Sequence, residues 1–251
     1  MKKFNLTKAI IPNSFTALNS FCGFLSIVFA SQAEYDYAAY AIFAAAFFDA
    51  VDGIIARLVG TSSRFGVELD SLSDVVSFGA APSLLIYFLY FNEFGWIGIF
   101  LSSLILLFGS FRLARFNVQL EDLSIKSDFR GLPIPVAALT LTSFVYAFHR
   151  GNTLPEPYSY FVIPLVILLS YLMVSYVKYD TLPQIHKQTL KERIITALFF
   201  ITGCLIVYIT DGAGLFYIFI SIVLFGILRK IISYFSHGNH DEEININEEI
   251  N

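Results

Sequence analysis

The sequence predicts an all-α, polytopic membrane helix bundle of about eight transmembrane helices with both termini cytosolic. Composition, the length of the apolar runs and the side on which positive charge collects predict it together. Of 251 residues, 56% are apolar and 14% charged, where a soluble domain carries roughly 25% charged residues. Mean hydropathy is +0.68, and phenylalanine occurs 27 times. These values exclude a soluble enzyme, a disordered regulator and a nucleic-acid binder. The formal charge of −4 comes from the end of the chain, where residues 236–251 hold five acids and no Lys or Arg. Cys22 and Cys204 both lie in apolar runs, which suggests neither a disulfide framework nor a Cys/His metal cage.

A bilayer-crossing helix needs roughly 20 mostly apolar residues. Runs of that kind are Asn13–Ser31, Tyr37–Arg57, Leu72–Phe91, Phe94–Leu113, Leu132–Phe148, Tyr158–Tyr176, Ile194–Thr210 and Ala213–Phe235. With both ends inside, the cytosolic segments collect every Lys and Arg except Arg150, as the positive-inside rule requires. Residues 1–10 form a basic segment, 11–235 the membrane domain, and 236–251 an acidic tail whose composition predicts disorder. Lys2, Lys3 and the small residues Ala30, Ser31 and Ala33 imitate a cleavable leader. Asn13, Ser14, Thr16, Asn19 and Ser20 inside its apolar stretch argue against cleavage. Pro133 and Pro135 are expected to interrupt the fifth helix at its entrance. His149, His186, His237 and His240 lie on both sides of the membrane and are expected at the surface.

Carboxylates at the span boundaries carry the main signal. The second span ends Phe48-Asp49-Ala50-Val51-Asp52-Gly53-Ile54-Ile55-Ala56-Arg57, and the third begins Glu68-Leu69-Asp70-Ser71-Leu72-Ser73-Asp74. At 100° per residue, Asp49 and Asp52 lie about 60° apart, and Asp70 and Asp74 about 40° apart. Each helix presents two carboxylates on one face, and the short connection makes the helices neighbours. An acid in a membrane segment costs roughly a few kcal/mol, and four together also repel one another. Divalent cations would offset both costs. An all-oxygen donor set suits Mg²⁺, Mn²⁺ or Ca²⁺ better than zinc, and four carboxylates can hold two such ions with positions left for substrate oxygens. The plain alternative is that these acids pair with Arg57 and Arg64. Gly53 and Ala56 on the same stripe weigh against it, because small residues admit a ligand or helix close to the backbone.

The pattern Asp49-x2-Asp52-Gly53-x2-Ala56-Arg57-x8-Gly66-x3-Asp70-x3-Asp74 matches without departure the signature of the CDP-alcohol phosphatidyltransferase family, which the chain therefore resembles. The resemblance implies a membrane enzyme with a six-helix core that cleaves a CDP-linked lipid or alcohol, releases CMP and forms a homodimer. It implies Asp49, Asp52, Asp70 and Asp74 as metal ligands, with Asp74 also the base for the acceptor hydroxyl. It places Gly53, Ala56, Arg57 and Gly66 at the CDP site, joined by Asn13 and Thr16 of the opening Pro12-Asn13-Ser14-Phe15-Thr16-Ala17-Leu18-Asn19. That opening, Val75-Val76-Ser77-Phe78-Gly79-Ala80-Ala81-Pro82, Phe111-Arg112-Leu113-Ala114-Arg115-Phe116-Asn117 and Phe129-Arg130-Gly131-Leu132-Pro133-Ile134-Pro135 resemble the branch whose acceptor is L-serine and whose donor is CDP-diacylglycerol. Val136 departs from the alanine of that branch.

Ser77 falls on the Asp70/Asp74 face by helical period and is a candidate acceptor ligand, or else a serine bonded to its own helix. Arg112, Arg115 and Arg130 are candidates for the lipid phosphate or the serine carboxylate, since guanidinium forks suit both. Their alternative role, shared by Lys126, is anchoring at lipid headgroups. The expected reaction is direct displacement at the inner membrane, the site open to the cytosol and the acyl chains left among membrane lipids. Glycerol 3-phosphate or an inositol phosphate is the alternative acceptor. A divalent-cation transporter is the alternative from another class.

Overall fold

The computed structural model describes residues 6–59, 64–121, 131–177, 179, 202–203, 205, 207–210 and 212–249. Among them the regular structure is helical, with one isolated bridge between Arg150 and Thr153. The helices are α1 (Leu6–Ser31), α2 (Tyr35–Val59), α3 (Arg64–Asp74), α4 (Ala81–Leu89), α5 (Gly95–Glu121), α6 (Ile134–Phe148), α7 (Ser159–Val174) and α8 (Gly214–Glu249). A π-helical turn, Val75–Ala80, joins α3 to α4, so that Arg64–Leu89 forms one continuous apolar span. Among the described residues, five helical stretches are long and apolar enough to cross a bilayer: Ile11–Ser31, Tyr35–Ala56, Arg64–Leu89, Phe91–Val118 and Gly214–Ile232. The helices Ile134–Phe148 and Ser159–Val174 are apolar but shorter. The expected span Ile194–Thr210 lies largely outside the described residues. Helix α8 runs on past its apolar part to Glu249, through the acidic segment whose composition predicts disorder.

Local chemistry explains the breaks. Gln32–Glu34 reverses the chain between α1 and α2 in a tight turn: Ala33 takes φ 60°, and Glu34 N–H closes on the Phe29 carbonyl at 2.9 Å. Pro133 caps α6 and Pro135 sits in its first turn, where a missing N–H costs nothing. Just before them, Gly131 N–H and Leu132 N–H donate to the carbonyls of Val177 and Leu172 at 2.8 and 2.9 Å, which ties the entrance of α6 to the end of α7. Gly131 must be glycine: its φ is +92°, and a Cβ would strike the Met173 carbonyl oxygen.

The core centres on α6 and on the Arg64–Leu89 span. Ile134, Leu141 and Val145 of α6, Phe78, Leu85 and Ile86 of the third span, and Ile42 of α2 are fully enclosed. Trp96, Phe100, Phe111, Tyr208 and Phe225 are exposed, as expected of side chains facing acyl chains. Thr16, Asn19 and Ser26 of the first span are buried instead. Ser20 Oγ donates to Ser73 Oγ at 2.7 Å, Ser73 Oγ to the Thr16 carbonyl at 3.2 Å, and Ser77 Oγ to the Asn19 carbonyl at 2.8 Å. These bonds fasten α1 along the third span. The expectation that His149 is a surface residue is corrected: it is 8% exposed, packs edge-on against Tyr35 and lies 3.4 Å from Asp36. The turn that follows α6 folds it back against the start of α2.

Candidate active site

Helix α2 carries Asp49 and Asp52 at its end, and α3 carries Asp70 and Asp74 close to the π turn. Ligand oxygens of Asp49, Asp70 and Asp74 all lie within 4.8 Å of one another. The carboxyl groups of Asp49 and Asp74 thus face each other at close range; such a pair holds either a proton or a cation between its oxygens. Asp52 stands beside this triad rather than in it. It is buried, and the carboxyls of Asp49 and Asp70, the Thr16 hydroxyl and the Gly53 backbone are near enough to interact with it electrostatically. The Thr16 hydroxyl itself donates to the Pro12 carbonyl at 3.2 Å.

The donor set fits a hard divalent cation. Asp52 Oδ2, Asp70 Oδ1 and Asp74 Oδ1 are buried without a hydrogen-bond partner, whereas buried carboxylate oxygens are ordinarily satisfied. The three converging groups are all carboxylates, the ligands that magnesium, manganese and calcium prefer. An ion between them would satisfy the orphaned oxygens of Asp70 and Asp74 and cancel the mutual repulsion together.

Positive charge approaches from α5. Arg112 is largely enclosed, interacts electrostatically with Asp74, and keeps its buried Nε without a partner. Arg115, one turn on, donates from Nη1 to the Val174 carbonyl at 3.3 Å. It therefore serves the end of α7, where orphan carbonyls and the helix dipole favour a cation. Asn117 and Ser71 exchange hydrogen bonds at 3.0 and 3.3 Å, which fixes α5 against α3 next to Asp70.

Of the other residues singled out from the sequence, Thr16 is at the site through Asp52. Asn13, Gly53, Ala56 and Gly66 are half-buried on α1, α2 and α3. The Arg57 side chain and the whole of Arg130 lie outside the described residues. Ser77 is fully buried, and its proton is directed to the Asn19 carbonyl on α1. Its partner belongs to a different helix, which neither reading of the sequence anticipated. Sequence reasoning named Asn19 only within the opening motif and the polar set of the first span, without a role at the site. Its carboxamide is fully buried with neither Oδ1 nor Nδ2 paired, and a polar residue amid an apolar span was the available signal.

The chain matches the CDP-alcohol phosphatidyltransferase family over residues 9–177. It is 40% identical over 195 residues to a CDP-diacylglycerol–serine O-phosphatidyltransferase of Helicobacter pylori, covering 76% of this chain and 79% of that one. A protein of the same name from Methanocaldococcus jannaschii is 37% identical over 205 residues, or 80% and 86% of the two chains. An archaetidylserine synthase of Methanothermobacter thermautotrophicus is 38% identical over 171 residues, or 67% and 69%. The matched region contains both acid-bearing helices, α5 and α6. Helices, acid triad and sequence likeness thus agree, and the chain belongs to the CDP-alcohol phosphatidyltransferase family.

Proposed function

We propose that the chain transfers the phosphatidyl group of CDP-diacylglycerol to L-serine, forming phosphatidylserine and CMP. The observation that carries this reading is the convergence of Asp49, Asp70 and Asp74 beside Arg112, in a chain similar to relatives named for that reaction. The relatives' names agree on serine while one carries a different lipid prefix, so they favour the acceptor more strongly than the donor's lipid part.

Asp49, Asp70 and Asp74, with Asp52 adjoining, would hold divalent cation, two ions in the fullest arrangement, as Mg²⁺, Mn²⁺ or Ca²⁺. Bound there, the cation supplies charge neutralisation for the pyrophosphate and the departing nucleotide. Asp74 accepts the proton of the serine hydroxyl. The serine oxygen attacks the phosphorus that bears diacylglycerol, a new O–P bond forms, and the bond to the bridging pyrophosphate oxygen breaks to release CMP. A positioned base of this kind contributes about 10²–10⁴-fold. Arg112 orients the Asp74 carboxylate or an anionic substrate group, and Arg115 and Arg130 are the further candidates for the lipid phosphate or the serine carboxylate. Asn13, Thr16, Gly53, Ala56, Arg57 and Gly66 line the cytidine diphosphate. Ser77 acts on the site from behind.

In this reading the enzyme is a homodimer of six-helix cores with eight spans per chain. It lies in the inner membrane with both ends and the site on the cytosolic side. The test is an acceptor panel: purified enzyme with CDP-diacylglycerol and serine, glycerol 3-phosphate or an inositol phosphate, with the product lipid identified by mass. Serine alone should drive CMP release and yield phosphatidylserine. Turnover with a phosphorylated acceptor and none with serine would overturn the proposal.

A further inference from the structure

The span Arg64–Leu89 changes helical period immediately after Asp74. In the turn Val75–Ala80, the Ala81 N–H reaches back five residues to the Val76 carbonyl, so the helix there holds one residue more than an α-helix of the same length. Local sequence favours this. Pro82 has no N–H to give, and its ring crowds the carbonyl four residues earlier, while Gly79 loosens the backbone within the turn.

Helical phase says what the surplus residue does. Counted at 100° per residue from Asp70, the midpoint of Asp70 and Asp74 lies at about 20°. The buried α4 residues Ala81, Pro82, Leu85, Ile86 and Leu89 would centre at about 90° in an unbroken α-helix. The carboxylates would then point about 70° away from the face that packs into the bundle. One surplus residue takes up about 100° and brings the two faces within about 30° of each other. Ser77 lies in the middle of the turn and bonds the Asn19 carbonyl at 2.8 Å. Gly23 makes that approach possible, because a Cβ there would overlap Ser77 Oγ and sit 2.7 Å from its Cα.

We infer that the π turn, held by Ser77 against Asn19 and Gly23, sets the rotational register that aims Asp70 and Asp74 at Asp49. Ser77 is thus a positioning residue for the acid site and does not bind the acceptor. The inference rests on the reading of that cluster as the working site, but its first test reads geometry alone. Asp49→Cys and Asp74→Cys are paired in a background with Cys22→Ala and Cys204→Ala, and cross-linked with a short thiol-bridging reagent. Deleting Val76 removes the surplus residue and leaves a plain α-helix in the same register, so the cross-link persists. Inserting an alanine after Gly79 exceeds what the turn absorbs and rotates the upstream segment by about 100°; the cross-link is lost and passes to the pair Asp49→Cys with Val75→Cys. In an ordinary α-helix, deletion and insertion would both abolish the original link. Loss on deletion, or survival on insertion, overturns the inference.

Where a length variant does not fold, point variants decide. Ser77→Ala lowers kcat by up to about 10²-fold, the scale of a misplacement near 1 Å, with KM for serine unchanged, and Ser77→Cys restores part of the rate. A rise in serine KM with kcat unchanged would make Ser77 an acceptor ligand and overturn its positioning role. Cross-links as expected, together with a wild-type enzyme inactive toward serine, would leave the register account standing and the functional proposal refuted.

Discussion

Replacing Asp74 by Asn separates catalysis from stability, because the two should move in opposite directions. The substitution keeps side-chain size, and its amide can still donate to Asp49, so the packing around α3 survives. The base is lost, and with it about 10²–10⁴ in kcat, or about 3–5 kcal/mol of transition-state stabilisation. Stability without divalent cation changes the other way. Carboxylate oxygens within 4.8 Å of one another repel by about 3 kcal/mol per fully charged pair at an effective dielectric constant of about 20. Relief of even one third of a single pair's repulsion raises Tm by about 2–4 °C in a domain of this size. The assay is serine-dependent CMP release alongside thermal unfolding in detergent, with and without chelator. The expected result is a crippled enzyme that melts higher than wild type in chelator and gains less when Mg²⁺ is added. Near-normal turnover refutes Asp74 as base. A lower Tm in chelator refutes the view that the clustered acids strain the ion-free protein.

Other consequences follow from the same geometry. Chelation should abolish CMP release from the wild type, with recovery on adding Mg²⁺ or Mn²⁺; activity undiminished in excess chelator would contradict a cation-dependent cluster. Gly131→Ala should destabilise by about 1–3 kcal/mol through strain at positive φ, before the added clash with Met173, and is measured as a drop in Tm. Arg115→Ala should also lower Tm, by the loss of a charged hydrogen bond to the α7 terminus worth about 1.5–3 kcal/mol, with little change in serine KM. Arg112→Ala should leave Tm less affected and reduce turnover, since its partner is Asp74; equal behaviour of the two arginine variants would refute the division of their roles.

The acid cluster was legible because each pair of acids lies within an unbroken stretch of α-helix, where spacing alone sets a common face. Asp49, Asp70 and Asp74 are fixed by spacing on two successive helices, and a short connection leaves those helices few ways to lie except side by side. Asp52 shares the stripe but is drawn toward Thr16, a partner on α1 that no count within α2 reveals. Ser77 likewise finds its hydrogen-bond partner, the Asn19 carbonyl, on α1. Its place on the Asp face assumed an unbroken 3.6-residue period, and the π turn breaks that period within three residues of Asp74. Gly79 and Pro82 were the visible warning, but neither states whether a helix kinks, ends or gains a residue. Arg115 and His149 likewise take their roles from α7 and α2, elements far away in sequence. The all-helical class was plain in the composition. Span ends were less so: the third helix starts at Arg64 rather than Leu72, because Phe65, Gly66 and Val67 extend it beyond the strictly apolar run.

The central claim is that carboxylates from α2 and α3 together make one cation-holding site. Its most direct test is Mn²⁺ titration of the purified protein followed by electron paramagnetic resonance. The account predicts saturable binding, competed by Mg²⁺, that is lost in Asp49→Asn and in Asp70→Asn alike although the two residues sit on different helices. Binding that survives either substitution unchanged, or no saturable binding by the folded wild type, would contradict it.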